Sequence, residues 1–266
     1  MSKVRIRGSE SAFQWGLTTY TAYGGACLRA ILLKSSLPRN KDIDPKHVIR
    51  GRLYEDTYAA RLDKQGITYE RELAVEIEKD EGVFTGHLDF WVEGSRVVEL
   101  KSTESKSRLR DIKKGEYVVD NLAQTVAYMV AKKTTEGRLV YSYWEPQTDG
   151  EYELKFEYEH NISIDNFGRI SDNNVPTKWS VYDLLAYQHN AFKVLNTRTV
   201  GARPHNYDLA WGSPCHYCPF AKACDAYDAG EITTADQLIS MATSGTVSLA
   251  DRANAQKTTS EEVIDE

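Results

Sequence analysis

The stretch from Gly86 to Thr103 constrains the fold of this chain more than any other. Two runs rich in β-branched and aromatic residues flank Glu93-Gly94-Ser95, the pattern of a hairpin with a short glycine-containing turn. Side chains alternate along a strand, so Glu99 and Lys101 share one face while Val98 and Leu100 share the other. A three-residue turn centred on Gly94 sets Asp89 opposite Glu99. Two carboxylates and a lysine then converge on one face of an otherwise apolar hairpin, where unpaired charge is costly. Facing carboxylates repel unless a cation sits between them, and hard oxygen ligands suit Mg²⁺ or Mn²⁺. Such an ion activates water and polarises a phosphodiester, and a nearby lysine orients the water or stabilises developing negative charge. The simpler reading of the stretch alone is a surface hairpin carrying a Glu–Lys pair.

At 266 residues the chain is long enough for one domain with a sizeable core. No apolar run reaches membrane-spanning length and the N-terminus lacks a signal-peptide pattern, so a cytoplasmic location and no membrane partner are expected. The net charge of −6 is unevenly spread. From Asp225 onward there are nine acids and two bases, which leaves the preceding body near neutral. Basic residues cluster at Lys46, Arg50 and Arg52, and again at Lys101, Lys106, Arg108, Arg110, Lys113 and Lys114. The second group directly follows the candidate strand and is suited to holding phosphates.

The remaining chain reads as alternating helices and strands. Ser9-Glu10-Ser11 is a candidate helix start, and Val48 to Leu62 has the spacing of an amphipathic helix. Ile67 to Ile77 has β character, and with the hairpin it makes three antiparallel strands. Residues 104–118 are polar and basic, loop-like or partly helical. Val118 to Lys133 reads as a helix with Asp120 as candidate N-cap, and Gln124 and Tyr128, four apart, share one of its faces. Arg138 to Trp144 and Tyr152 to Tyr158 form a second hairpin around Thr148-Asp149-Gly150. A polar loop follows, then a core-packing helix from Val181 to Leu195 started by Ser180. Residues 1–230 read as one domain and 231–266 as an acidic tail, helical to about Met241 and then disordered. There is no phosphate-loop motif for an ATP-driven motor.

The four cysteines are Cys27, Cys215, Cys218 and Cys224. A cytosolic chain rarely uses structural disulfides, so the Cys-x2-Cys-x5-Cys cluster points to metal, with Cys27 as the fourth thiolate. Four thiolates suit structural Zn²⁺ or a 4Fe-4S cluster, and local chemistry does not choose between them.

Asp89, the turn and Glu99-Leu100-Lys101 resemble the PD-(D/E)xK nuclease core. Gly86-His87-Leu88-Asp89 followed by Glu-x-Lys resembles its RecB-type branch. The resemblance implies an α/β, restriction-endonuclease-like fold: a central mixed β-sheet flanked by helices, with an iron-sulfur-stapled helical region formed by the two chain ends. It implies that Glu55, in Gly51-Arg52-Leu53-Tyr54-Glu55, adds a metal ligand, as in phage λ-type exonucleases. It also implies that Gln124 and Tyr128 face the site and position DNA or catalytic groups. One upstream and three downstream cysteines resemble the 4Fe-4S staple of the Cas-four and AddB-type nucleases. The implied activity is Mg²⁺- or Mn²⁺-dependent hydrolysis of DNA with single-stranded or free ends. Glu55, Asp89 and Glu99 would hold the metal, with the Leu100 carbonyl as a further ligand, and Lys101 would assist the attacking water. The alternative is a DNA-binding or adaptor subunit of a recombination or CRISPR-adaptation complex, its nuclease activity weak or dependent on a protein partner.

Overall fold

The structure is a computed structural model and describes residues 4–7, 28–29, 32–33, 45–78, 80, 82–148, 150–201 and 220–244. Its centre is an eight-stranded mixed sheet built from β1 (Val4–Arg7), β2 (Tyr69–Glu78), β3 (Gly82–Val92), β4 (Arg96–Thr103), β5 (Glu136–Pro146), β6 (Tyr152–Ile164), β7 (Arg169–Asp172) and β8 (Val175–Ser180). The helices with described bounds are α1 (Pro45–Gln65), α2 (Lys106–Lys113), α3 (Val119–Lys132), α4 (Val181–Thr197), α5 (Ala221–Asp228) and α6 (Ala235–Ser244). The order across the sheet is β1-β3-β4-β5-β6-β7-β8, with β2 on the other edge of β3. β1 pairs parallel with β3 and β4 pairs parallel with β5; the remaining pairs are antiparallel.

Strand alternation distributes the core onto both faces of the sheet. Val98 and Leu100 of β4, with Val140 and Trp144 of β5, pack against Tyr54, Tyr58 and Leu62 of α1. Val97 of β4, with Leu139 and Tyr141 of β5, packs on the opposite face against Leu122, Val126 and Met129 of α3. A third, smaller cluster joins Leu33 to Phe220 and Cys224 at α5 and to Leu238 and Ala242 of α6.

The β3–β4 hairpin has the expected register, with Phe90 opposite Val98 and Val92 opposite Arg96 across a turn in which Glu93 and Gly94 both take positive φ. The ladder closes only three pairs and then opens, so the next position, Asp89 opposite Glu99, is already unpaired. On the same edge, β1 pairs β3 only from Gly82 to Thr85. Gly86 to Asp89 is therefore the free stretch of β3 between β1 and β4. On the other edge the β2 ladder skips one position, where Glu72 stands opposite Asp89 with φ 48°. A left-handed non-glycine residue in mid-strand costs about 1–3 kcal/mol and such strain collects at functional sites.

Two sequence readings change, and one of the two readings of residues 104–118 is settled. Residues 104–118 contain a defined helix, α2, capped by the Ser105 side chain accepting from Arg108 N–H. α3 starts at Val119 with Val118 as N-cap and no side-chain cap bond, so Asp120 lies inside the first turn. The polar loop before α4 contains the hairpin β7–β8, turned by Asn173 and Asn174 at φ 48° and 65°. Its Asp172 carboxylate bonds Nδ1 of the fully buried His160 at 2.7 Å, which ties the hairpin to the core. Ser180 caps α4 in a capping box with Asp183. The Ser9 helix start and the tail beyond residue 244 lie outside the described residues. None of the described helices is long and apolar enough to cross a membrane.

Candidate active site

The opening between β3 and β4 gathers the polar residues singled out in the sequence. Where the ladder ends, the Leu100 N–H donates instead to Asp89 Oδ2 at 2.6 Å. Asp89 thus substitutes for a strand partner, and its half-buried carboxylate is held against the Glu99-Leu100-Lys101 backbone. Glu99 is almost fully buried. Its Oε1 accepts from Lys101 Nζ at 2.5 Å, while its Oε2 is buried without a hydrogen-bond partner among the described residues.

α3 covers this opening. Lys101 Nζ also donates to Gln124 Oε1 at 3.0 Å, and Gln124 Nε2 donates to Tyr128 Oη at 3.0 Å. Both α3 residues are buried, so the four-residue spacing directs an amide and a phenol inward. The Tyr128 ring lies directly over Gly86. A Cβ built on Gly86 would meet Tyr128 Cε1 at 2.5 Å and Oη at 2.8 Å. The glycine of Gly86-His87-Leu88-Asp89 is there for close approach of a ring, not for an unusual φ.

α1 brings Glu55 to the other side of Asp89. Arg71 of β2 holds it, with Nη2 3.3 Å from Glu55 Oε2 and Nη1 2.9 Å from Asp56 Oδ1. Arg50, a turn earlier on α1, is buried and fixes the helix to the end of β4. Its Nε donates to Ser102 Oγ at 3.4 Å, and Nη1 sits 3.1 Å from Glu104 Oε2 as an ion pair without hydrogen-bond alignment.

Electrostatically the site is short of positive charge. Burial and then the Glu99 carboxylate push the Asp89 pKa up to about 8. Burial and then Asp89 raise Glu55, with Arg71 opposing. Burial also raises Glu99, against the pull of Lys101. Burial opposes the Lys101 charge, but Glu99 and Asp89 more than offset it and raise the ammonium pKa. A lone oxygen on Glu99 and three carboxyls whose pKa values are all raised fit a hard dication, which would relieve the repulsion. The three carboxylates are currently directed at Arg71, Leu100 N–H and Lys101. Among the described residues no group of three His, Cys, Asp or Glu side chains is arranged as a ready metal cage.

Of the four cysteines only Cys224 is described. It is buried on α5, and Cys27, Cys215 and Cys218 lie outside the described residues. The segment around Arg29 nevertheless docks on α5. Arg29 Nη1 reaches the Cys224 carbonyl at 3.4 Å and Asp228 Oδ1 at 2.9 Å, and its Nε donates to the Gly201 carbonyl at 3.0 Å.

The central strands of a mixed sheet thus part where Asp89, Glu99 and Lys101 meet. The chain belongs to the PD-(D/E)XK nuclease superfamily, whose family model matches residues 21–225. No curated protein matches the chain. Among solved structures it is similar to SSO0001, at 16% identity over 85% of this chain and 88% of that one, TM-score 0.46. It is also similar to a phage-related exonuclease from Haemophilus somnus 129PT, at 12% identity over 74% and 97%, TM-score 0.45. A third likeness is to the alkaline exonuclease LHK-Exo from Laribacter hongkongensis, at 12% identity over 68% and 91%, TM-score 0.39.

Two residues of this site, Arg71 and Tyr141, were not singled out in the sequence, and Arg50 was named there only as part of a basic cluster. Arg71 and Arg50 are placed by contacts between distant segments, for which the local pattern holds no signal. Tyr141 pairs with Lys101 in register and accepts from Val118 N–H and the Asn121 amide, fixing the start of α3 beside the lysine. Its place in a β-rich run was legible, but its partner was not.

Proposed function

We propose that the chain is a metal-dependent deoxyribonuclease of the RecB-type branch, acting on DNA with single-stranded or free ends. The observation that supports this most is the linked cluster at the strand opening: Asp89 on Leu100 N–H, Glu99 on Lys101, Lys101 on Gln124 and Gln124 on Tyr128. Glu55, Asp89 and Glu99, with the Leu100 carbonyl, are the residues that would hold Mg²⁺ or Mn²⁺. The ion, when bound, supplies a polarised phosphodiester and an activated water. Lys101 stays charged and sits beside the carboxylates, where its Nζ orients the attacking water and faces the developing negative charge. Gln124 presents its carbonyl to Lys101 because its amide nitrogen is committed to Tyr128. This chain of neutral hydrogen bonds aims the ammonium without adding charge.

Incubation of anaerobically purified protein with end-labelled single-stranded and duplex DNA tests the reading. Nucleotide release that requires Mn²⁺ or Mg²⁺ is expected, and the product ladder reports polarity. A folded protein that cleaves neither substrate with either metal contradicts it.

The same reading assigns Cys27, Cys215, Cys218 and Cys224 to a 4Fe-4S cluster joining the chain ends. The docking of Arg29, two residues after Cys27, on the carbonyl of Cys224 supports this closure. So does the approach of Gly201 to Leu28, where a Cβ on Gly201 would meet Leu28 Cβ at 2.6 Å. A cluster closing so long a loop couples its assembly to folding. Cys224→Ser is expected to lower bound iron and the melting temperature together. Protein purified without oxygen that carries zinc and no iron contradicts the cluster assignment.

A further inference from the structure

A groove that the catalytic cluster does not use lies on the same face of the sheet as Lys101. The groove is open, has a volume of about 770 Å³, and lies between α2 and the ends of β5 and β6. Its walls are Lys106, Leu109, Arg110 and Lys113 of α2, and its floor is Tyr143 and Phe156 with Glu145 and Lys155 at the rim. Register fixes its place relative to the site. Lys101 is level with Tyr141, and two residues further on Thr103 is level with Tyr143, which is level with Phe156. Residues two apart share a face, so the floor of the groove is the next row beyond Lys101 on the same side of the sheet, roughly 7 Å along it.

The charges on α2 are sorted by direction. Lys106, Arg110 and Lys113 stand at i, i+4 and i+7, which sets them along one stripe of the helix. That stripe faces the groove. All three are exposed, and among the described residues no acid lies within ion-pair distance of any of them. Cations of the same segment that point elsewhere are neutralised, Arg108 by Asp111 at 3.4 Å and Lys114 by Glu116 at 3.9 Å. Lys155 at the rim is likewise taken up by Glu153 at 2.7 Å and Glu145 at 3.9 Å. Lys113 Nζ stands 5.7 Å from the centroid of the half-buried Phe156 ring, so a cation and an aromatic face meet inside the groove.

We infer that this groove holds the unpaired DNA strand next to the scissile phosphate, with Lys106, Arg110 and Lys113 on successive phosphates and the Phe156 ring under a base. An aromatic floor beneath a cationic wall suits single-stranded nucleic acid, because a base reaches the floor only when it is not paired. The inference rests on the nuclease reading above and names the strand that this site takes.

Fluorescence anisotropy of a labelled oligonucleotide in Ca²⁺, over a series of salt concentrations, tests it without turnover. Each single-strand phosphate contact contributes about 0.7 to the slope of log affinity against log salt. The triple variant Lys106→Ala, Arg110→Ala, Lys113→Ala is expected to bind at least tenfold more weakly with a slope smaller by about 2, at an unchanged melting temperature. Phe156→Leu, which keeps an apolar floor, is expected to lose about fivefold or more in affinity with its slope intact, the effect of losing one base stack. A triple variant with wild-type affinity and slope overturns the inference, as does tighter binding of duplex than of single strand by the wild type. Cleavage by the wild type in Mn²⁺ is read separately, so failure of the groove is distinct from failure of the nuclease reading.

Discussion

Lys101→Ala is expected to lower metal-dependent DNA cleavage by at least 100-fold while the protein stays folded. The ammonium is a single preorganised charge where negative charge develops, and removing one such group costs about 10²–10³ in rate. It is also a partner that Glu99 needs. With Lys101 gone, an almost fully buried carboxylate keeps no hydrogen-bond partner on Oε1 or Oε2 among the described residues. It takes a proton rather than remain an unpaired charge, so the stability loss stays near 1–3 kcal/mol. Lys101→Arg is not expected to rescue the rate, because a planar guanidinium cannot bond Glu99 and Gln124 as the compact ammonium does. Initial rates at saturating DNA, measured beside thermal melts, check both parts. Cleavage by Lys101→Ala at the wild-type rate removes the lysine from the mechanism.

Gly86→Ala has the second largest expected effect, and it acts through a neighbour. The new methyl would lie 2.5 Å from Tyr128 Cε1, closer than any real contact, and the ring is buried at 1% exposure with nowhere to swing. Overpacking of this kind costs about 1–3 kcal/mol. In a chain of this size that lowers the melting temperature by about 3–10 °C. The displaced phenol also loses the Gln124 amide, so Gln124 no longer aims its carbonyl at Lys101, and cleavage should fall tenfold or more. Adding Tyr128→Leu should restore stability but not activity. Gly86→Ala with both properties intact would mean that Tyr128 does not need its place over the strand.

The parts of this site that depend on neighbouring residues were legible in the sequence. Alternation put Glu99 and Lys101 on one face, the Gly94 turn set Asp89 opposite Glu99, and the spacing of Gln124 and Tyr128 put them on one face of α3. Each is a local geometric rule, and each describes the structure. What the sequence did not show was set by pairing across long stretches of chain. The β3–β4 hairpin reads as an ordinary hairpin, and only the pairing of distant segments shows that it closes three pairs, opens at Asp89 and leaves the same edge of β3 to β1 from Gly82 to Thr85. Arg71 reaches Glu55 from a different element, and Arg50 reads as one of a basic cluster until β4 is placed beneath it. The β7–β8 hairpin was hidden because its strands are short and polar. Its Asn173-Asn174 turn was the available signal, since asparagine is the residue after glycine that best tolerates positive φ.

Calorimetric titration of Mn²⁺ into metal-free protein tests the proposed metal site of Asp89, Glu99 and Glu55 most directly. The Asp89 pKa of about 8 lies above its unfolded value near 4. The carboxyl is therefore mostly protonated at pH 7 in the metal-free fold. Its contribution to stability is full below the unfolded pKa and is lost as pH rises through about 8. A metal binds the carboxylate and must displace that proton. Repeating the titration in buffers of different ionisation enthalpy should show close to one proton released per Mn²⁺ at pH 7. The release should fall towards zero by about pH 9, and Asp89→Asn should abolish both binding and release. Mn²⁺ binding that releases no proton at pH 7 and survives Asp89→Asn would place the metal elsewhere and contradict the site.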